Sequence, residues 1–433
     1  MSARPGVVSL LASSLACAVG LGLAACGGGP AGGPDGGDDD GGGGGGDARP
    51  IDAFPEVCLD VTCSGHGTCF AVDGAATCQC DGGYVRTDAT TCEAAVGPTL
   101  GGCPLLPADH LFNTPIDALP VHPDSDAFIA TIGGTRRVHL DLGTTTDQQD
   151  PEFYGIPFNL VHGGTFTWPT VAFLSTDPDL DWNPRVESDC AVGAGHSFVA
   201  PCTSQQAPAP LLPIPAGVVV EGGVNSSVDQ QPYGDHHILL LDVDTCRLWE
   251  TYHSYSPGPG TWNIYGAAGW DLTSNALRPD GWTSADAAGF PILPLLLRAD
   301  EAATGEIKHA LRFTIQSSKI RTSYVWPARH LTGNGTGSTS LPPMGQLFRL
   351  KADYAIPSGA GVQARAVLQA LKTYGMYIAD GGSDMYVQGD PSAAWTDDTF
   401  AVVQAVPASA FEAVDLAPIM ARPGWDVDSG AVP

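Results

Sequence analysis

The sequence is short of positive charge and of recognisable catalytic motifs. Lysine and arginine number 19 against 47 aspartate and glutamate residues, a formal net charge of −28. Such a surface repels phosphate backbones, so we expect no nucleic-acid partner. The chain contains no Gly-x-Ser-x-Gly, no His-Glu-x-x-His and no phosphate-binding loop. No standard hydrolase, metalloprotease or nucleotide-binding site is therefore indicated, and we expect neither a cofactor nor a metal.

Long apolar runs are also scarce, while glycine and proline are plentiful. The chain has 433 residues, of which 43% are hydrophobic, with 55 Gly and 36 Pro. This composition is typical of a globular protein that is rich in loops and strands. The length is sufficient for two or three domains.

The N-terminus has the pattern of an export signal. Arg4 supplies a positive charge, and 7–23 form a weakly apolar stretch in which Gly20 and Gly22 interrupt a run barely long enough to span a membrane. The sequence Leu23-Ala24-Ala25-Cys26 resembles a lipobox. The resemblance implies a signal peptide over 1–25, a lipid on Cys26 and a membrane-anchored, extracytoplasmic protein. The alternative is a plain signal peptide with an incidental cysteine.

The residue after Cys26 bears on which membrane holds the lipoprotein. Gly27, rather than Asp, follows the cysteine. In diderm bacteria the resemblance then implies the outer membrane, facing the periplasm or the cell surface. The membrane itself is thus the first expected partner, through the lipid.

The twelve cysteines indicate an oxidising compartment. Cys17 is expected to leave with the signal and Cys26 to carry lipid, so an even number of ten remains, which indicates disulfides. Six fall within 35 residues: Cys58, Cys63, Cys69, Cys78, Cys80 and Cys92. For the other four, three pairings are possible, of which the most economical is Cys103–Cys246 with Cys190–Cys202.

The six-cysteine block, residues 55–94, resembles an epidermal-growth-factor-like module. The motifs that carry the resemblance are Ser64-Gly65-His66-Gly67-Thr68-Cys69 and Cys78-Gln79-Cys80-Asp81-Gly82-Gly83-Tyr84. The resemblance implies the pairs Cys58–Cys69, Cys63–Cys78 and Cys80–Cys92, whereas spacing alone would permit fifteen pairings. Ala71 departs from the pattern of the calcium-binding members. A zinc site is the weaker alternative, because the Cys-x-Cys spacing lacks a matching pair.

Composition divides the rest of the chain. Residues 26–54 are rich in Gly, Asp and Pro and predict a flexible stalk. A linker over 95–102, a large domain over 103–416 and a tail over 417–433 follow. Turn residues between short apolar runs predict a mainly β fold, with a β-sandwich or jelly-roll-like large domain and a few helices. The predicted strands are 217–221, 237–242, 309–315 and 376–379, and the predicted helices are 292–303 and 361–374.

Three polar residues near predicted strand ends are the candidate catalytic group. Glu221 precedes two glycines, and Asp235 and His237 precede an apolar strand. Hydrolysis of a glycosidic bond needs two carboxyl groups across that bond, so Glu221 and Asp235 could be the acid and the base or nucleophile. His237 would then be a supporting proton carrier. The alternative is that Asp235 caps a turn and that one of the neighbouring histidines is a buried structural residue.

Aromatic residues cluster within 249–282, among Gly, Pro and Ser. Flat rings stack on the C–H faces of sugars, so Trp262, Trp270 and Trp282 are candidate sugar-binding residues. The alternative is that these rings belong to the core of a strand-rich domain. The segment Asp380-Gly381-Gly382-Ser383-Asp384 is interpreted first as a turn and second as a cation loop.

A further group of polar residues suggests a metal site. This hypothesis is weaker than the catalytic one, because these residues do not have the spacing of metal ligands. The group consists of Asp286, Glu301, Glu306, His309 and His330.

Several segments of 103–416 resemble a widespread secreted bacterial family. Among them are Asp235-His236-His237-Ile238-Leu239, Asn275 to Gly289, Tyr324-Val325-Trp326-Pro327-Ala328-Arg329-His330 and Leu371-Lys372-Thr373-Tyr374-Gly375. This resemblance implies no catalytic role for any residue. The leading functional hypothesis is a surface enzyme that cleaves polysaccharide by hydrolysis or elimination. The alternatives are a non-catalytic adhesin or glycan-binding protein and a structural surface protein that contacts other cell-surface proteins.

Overall fold

The computed structural model describes residues 56–433 apart from 73, 81–83, 95, 151, 175–186, 204–205 and 224–234. The predicted signal peptide, Cys26 and nearly all of the predicted stalk lie outside the described residues. The fold is mainly β, with 30% strand against 17% helix. No helix in the described part of the chain is long and apolar enough to cross a bilayer.

The strands are numbered in chain order. They are β1 (Gly67–Val72), β2 (Ala75–Cys80), β3 (Tyr84–Asp88), β4 (Thr91–Ala94), β5 (Thr99–Leu100), β6 (Cys103–Pro104), β7 (His139–Asp141), β8 (Phe158–Val161), β9 (Thr170–Phe173), β10 (Cys190–Val192), β11 (Ser197–Val199), β12 (Pro210–Leu211), β13 (Ile238–Asp242), β14 (Arg247–Tyr252), β15 (Tyr255–Gly258), β16 (Thr261–Ile264), β17 (Gly266–Asp271), β18 (Leu311–Ile315), β19 (Arg321–Tyr324), β20 (Pro343–Met344), β21 (Leu347–Leu350), β22 (Met376–Gly381), β23 (Tyr386–Gln388) and β24 (Phe411–Ala413).

The six-cysteine block forms two small hairpins, β1–β2 and β3–β4. Its core consists of sulfur, because Cys58–Cys69, Cys63–Cys78 and Cys80–Cys92 are disulfides whose cysteines are all buried. This is the pairing that the resemblance implies. Two further disulfides join Cys103 to Cys246 and Cys190 to Cys202, the economical pairing.

Three larger sheets form the rest of the fold. Their strand orders are β11-β10-β12-β9-β16-β15, β17-β14-β13-β8 and β24-β21-β22-β18-β23-β7. Each sheet is mixed: β9–β16, β8–β13 and β18–β22 are parallel pairs, whereas β13–β14 and β14–β17 are antiparallel. Parallel pairs require crossover connections, so a simple run of hairpins does not describe this domain.

Strand β13 is buried on both faces, as its unbroken apolar sequence predicts. Ile238 and Leu240 pack in one hydrophobic cluster, with Trp249, and Leu239 and Leu241 pack in the other. Successive side chains of a strand point to opposite faces, so the four-stranded sheet has a core on each side. Of the polar residues just before β13, His236 and His237 are buried as well, whereas Asp235 is exposed.

The helices are α1 (Ser125–Ile132), α2 (Ala299–Thr304), α3 (Val362–Thr373), α4 (Asp397–Val403) and α5 (Ala417–Met420). The predicted helix at 361–374 is confirmed as α3. Gly375 follows it at φ 76°, where a Cβ atom would lie 2.4 Å from the Phe348 carbonyl oxygen. Only glycine fits there, and it ends the helix.

The prediction of one helix over 292–303 is wrong in its first half. Leu293–Leu295 is a single 3₁₀ turn, and the chain then extends before α2 begins at Ala299. The Leu297 backbone N–H donates to the Gln388 carbonyl at 3.1 Å, and the segment bridges to Gly389. Pairing with a neighbouring strand has replaced helical hydrogen bonds here, and Pro294 within the turn supplies no N–H donor.

The strand predicted at 217–221 is also wrong, because the segment is a loop. The side chain of Asn159 satisfies its backbone: Oδ1 accepts from the Val219 N–H at 2.8 Å, and Nδ2 donates to the Val219 carbonyl at 2.9 Å. A side chain thus supplies what a strand ladder would have supplied. Its valines still turn toward apolar surroundings, which explains the misleading pattern.

Two predicted boundaries also change. Residues 417–433 are not a separate tail, because Ser429 bridges to Ala276 and Ala431 bridges to His110. Within the predicted linker, β5 pairs with β6. Both segments belong to the folded domain, since their backbones pair with it.

Candidate functional site

Glu221 and His237 meet directly, at the point where the 217–223 loop reaches the start of β13. Glu221 Oε2 lies 2.7 Å from His237 Nδ1 and accepts from the His237 backbone N–H at 3.2 Å. In return, the Glu221 backbone N–H donates to the His237 carbonyl at 3.1 Å. Three hydrogen bonds therefore fix this pair.

His237 has both ring nitrogens in hydrogen bonds. Nε2 lies 3.0 Å from the Ala285 carbonyl oxygen, and Nδ1 faces the Glu221 carboxylate. Both partners only accept, so both nitrogens donate and the ring is the imidazolium form. Burial opposes that charge, but Glu221 outweighs it and raises the pKa of His237 to about 9. His237 thus holds its proton in place, which does not suit the predicted role of proton carrier.

Glu221 carries the negative charge that balances the imidazolium of His237. Burial alone would raise the pKa of its carboxyl group, but the positive charge and hydrogen bond of His237 lower it below the ordinary value. The Glu221 side chain is 23% exposed and that of His237 is 5% exposed. The two form a largely buried ion pair that positions the residues around it.

Asp235, two residues before His237, lines a cavity of about 480 Å³, which we call the acid cavity. The volume is within the range of small-molecule sites. The cavity is also lined by Tyr252, Thr283, Ser284, Ser317, His330 and Asp380, with glycines at positions 333 and 381. The acid cavity thus has two carboxyl groups in its lining, Asp235 and Asp380, and the negative charge of Glu221 also acts on Asp235.

Asp380, at the end of β22, is the residue that sequence reasoning missed. Burial, followed by the negative charges of Asp286 and Asp235, raises the pKa of Asp380 from 3.8 to about 7. Its carboxyl group accepts one short hydrogen bond, from the Gly381 N–H at 2.6 Å. A carboxyl group that keeps its proton near neutral pH can act as a general acid.

His330 adds an imidazole ring to the lining of the acid cavity. Its Nδ1 lies 3.0 Å from the Ala287 carbonyl oxygen, so that nitrogen donates. In the neutral ring, Nε2 is then the nitrogen that can accept a proton. The acid cavity thus contains two carboxyl groups and one imidazole.

A buried ion pair adjoins the acid cavity, whose lining includes Ala285 and Ala287 on either side of Asp286. Arg312 on β18 donates Nε to Asp286 Oδ2 at 3.1 Å and Nη2 to Asp286 Oδ1 at 2.8 Å. Asp286 is 0% exposed and Arg312 is 3% exposed. The positive charge of Arg312 also lowers the pKa of Asp380, against the effect of burial. This bidentate pair therefore stabilises the fold and tunes the cavity.

The three predicted sugar-binding tryptophans do not act together. Trp270 on β17 is 6% exposed and packs in the core, and both it and Trp282 face the buried Arg278 guanidinium, at 5.6 and 5.5 Å from their ring centroids. Trp270 is therefore wrong as a platform, because its ring is used in packing. Trp262 on β16 is half-buried and lines a second, larger depression.

This second depression, the aromatic groove, has a volume of about 750 Å³. Its apolar lining consists of Phe166, Trp168, Ile214, Val218, Val220 and Trp262, with prolines nearby. Its polar lining consists of Gln148, Thr167, Thr170, His236, Ser254 and Ser256. Trp168 was not singled out from the sequence because it lies far from the aromatic cluster of 249–282.

The residues of the metal hypothesis are separated. Asp286 pairs with Arg312, His309 Nε2 lies 2.8 Å from Glu301 Oε1, and His330 lines the acid cavity. In the part of the chain that the structure describes, no group of three or more His, Cys, Asp or Glu side chains is arranged to hold a metal ion. Of the segment Asp380–Asp384, predicted as a turn, Asp380 and Gly381 end β22, the chain bends after them, and Asp384 pairs with Lys319.

Comparison of the chain with family models, with curated proteins and with solved structures finds no match. The resemblances described for the N-terminus, the six-cysteine block and the large domain therefore stay predictions, and any function must be argued from the site itself.

Proposed function

We propose that this chain is a lipid-anchored extracytoplasmic enzyme that cleaves a polysaccharide by hydrolysis. Asp380 donates a proton to the leaving oxygen, and Asp235 acts as base or nucleophile. His237 and Glu221 position Asp235, which lies two residues before the histidine. The observation that carries the proposal is that two carboxyl groups line one cavity and that one of them has a pKa of about 7.

Glycoside hydrolysis needs this asymmetry. One carboxyl group must be protonated to release the sugar, and the other must be ionised to activate water or to attack the sugar carbon. Like charges close together separate the two protonation states, and Asp235 is among the groups that raise the pKa of Asp380. Desolvation raises the pKa of Asp235 as well, but the positive charges of His237 and Arg312 favour its ionised form, and on that ground we assign it the role of base or nucleophile.

A polysaccharide panel tests this proposal. The purified chain without its anchor is incubated with glycans of different composition, and newly formed reducing ends are measured. We expect release from at least one glycan, reduced about 10²–10⁴-fold in Asp235→Asn, because acid–base groups contribute on that order. Asp353→Asn, an exposed carboxylate outside both cavities, is the matched control and should keep the wild-type rate. Equal rates for the wild type, Asp235→Asn and Asp353→Asn would contradict the catalytic proposal.

A non-catalytic glycan-binding protein is the second candidate. The aromatic groove favours it, since stacking rings and uncharged polar groups suffice for binding without chemistry. Binding to a glycan without product in the same panel would favour this candidate over the enzyme.

The lipid anchor rests on the Leu23-Ala24-Ala25-Cys26 sequence, which lies outside the described residues. We expect the wild-type chain, expressed in a diderm bacterium and labelled with a radioactive fatty acid, to carry label and to sediment with membranes. Cys26→Ser should lose the label and appear in the soluble extracytoplasmic fraction, because no thiol remains to take the lipid. Cys17→Ser is the control and should behave as wild type. Label retained in Cys26→Ser would show that the cysteine is incidental.

The sandwich fold of the large domain and the module that precedes it are part of the same proposal. We describe the large domain as a sandwich of stacked sheets, supported by the two separate cores on either side of β13. An epidermal-growth-factor-like module would lie between the stalk and this domain along the chain. Arg86 of that module donates to the carbonyl oxygens of Val243 and Asp244 in the large domain. These hydrogen bonds favour a fixed contact between the module and the large domain over a flexible connection.

A further inference from the structure

The acid cavity and the aromatic groove lie on opposite sides of the same two segments. Asp235 lines the acid cavity, and its neighbour His236 lines the groove. At the end of β14, Tyr252 lines the acid cavity and Ser254 lines the groove. One layer of residues therefore separates the two depressions.

The lining of the groove has a definite chemical character. Among the described residues that line it, none is Asp, Glu, Lys or Arg. This is unusual for a protein with a formal net charge of −28. Tryptophan and phenylalanine rings alternate with hydroxyl and amide groups, which is the combination that binds sugar rings and their hydroxyl groups. A ligand with a carboxylate or sulfate on each unit would find no positive partner there.

The groove is also preorganised. Trp168 donates Nε1–H to the Gly163 carbonyl at 2.8 Å, and its ring stacks on His196 with centroids 3.8 Å apart. Trp262 is held on β16, where it pairs in parallel register with Val171 of β9. Rings that are already fixed lose little conformational freedom when a ligand binds.

We propose that the aromatic groove binds the uncleaved part of an uncharged glycan chain, with Trp262 as a stacking surface, and so selects neutral polysaccharides over polyuronates and sulfated glycans. The inference rests on the proposed function in that the adjoining unit of the same chain enters the acid cavity. Among the described residues of that cavity none is Lys or Arg either. Both depressions therefore disfavour an anionic chain.

The test measures binding separately from cleavage. Asp235→Asn, the variant that slows cleavage, is run through native gels containing xylan, mannan, β-1,3-glucan, polygalacturonate or chondroitin sulfate, and retardation gives an apparent Kd. We expect retardation by at least one of the three neutral glycans and none by the two anionic ones. Adding Trp262→Ala should weaken binding about tenfold, the effect of losing one stacked ring. Trp262→Phe should retain most of the affinity.

Controls separate the possible failures. Phe198→Ala removes an exposed ring outside the groove and should not change retardation, and circular dichroism checks that each variant is folded. Equal retardation with Trp262→Ala, or tighter binding of an anionic glycan, overturns the groove assignment. Trp262-dependent binding without cleavage of any glycan by the wild type leaves the groove assignment standing and overturns the proposed enzyme instead.

Discussion

Asp380→Asn should lower the rate of glycan cleavage by about 10²–10⁴-fold, the usual contribution of a general acid. The reason is that asparagine is close to aspartic acid in shape but cannot transfer a proton. Asp380 has a pKa of about 7, so in the wild type it is protonated below that pH and active as an acid. As the pH rises above 7 the proton is lost and the rate should fall about tenfold per pH unit. The measurement is the pH profile of reducing-end release from pH 5 to 9.

The variant should lose this alkaline decline together with the rate. Glu250→Gln is the matched control, because burial also raises the pKa of Glu250 to about 7. Its carboxylate accepts from the backbone N–H groups of Ile292 and Leu293 in the core and does not line the acid cavity. We expect Glu250→Gln to keep the alkaline decline at the same pH. An unchanged decline in Asp380→Asn would assign the decline to another group and contradict the role of Asp380 as the acid.

Asp380 shows where sequence reasoning fails at this site. Its surroundings, Asp-Gly-Gly-Ser-Asp, predict a turn, but Asp380 and Gly381 are the last residues of β22, and the chain bends only after them. Burial raises the pKa of this carboxyl group most, and Asp286 and Asp235, which lie 94 and 145 residues earlier in the chain, raise it further. No local pattern contains such long-range electrostatic information. Asp235 could be identified from the sequence because it precedes a clear strand, and polar residues at strand ends are easily recognised.

The fold, too, could be predicted from the sequence only in part. Strand β13 and helix α3 could be predicted because their own apolar periodicity determines how they pack. The 217–221 loop could not be, since the side chain of Asn159, about 60 residues away, satisfies its backbone. His237 is intermediate: its place beside a carboxylate follows from the sequence, whereas the carbonyl that occupies its second nitrogen does not. Glu221 and this carbonyl together make His237 a fixed positive charge rather than a proton carrier.

Arg312→Met should reduce the free energy of unfolding by about 3–5 kcal/mol, the usual cost of leaving one member of a buried ion pair without its partner. Asp286 would then be a carboxylate with 0% exposure and no guanidinium. Urea unfolding followed by tryptophan fluorescence measures the loss. In folded protein the alkaline decline of activity should also move to higher pH, since the positive charge of Arg312 no longer lowers the pKa of Asp380.

Two further variants decide whether burial of the charge is the cause. Replacing both partners, Asp286→Leu with Arg312→Met, should recover much of the stability, because no charge remains buried. Lys308→Met removes a surface partner from an ion pair whose side chains are 43% and 67% exposed and should cost at most about 1 kcal/mol. If the double variant is as unstable as Arg312→Met, the loss comes from packing around the arginine stem. If stability falls but the pH profile stays in place, Arg312 supports the fold without tuning Asp380.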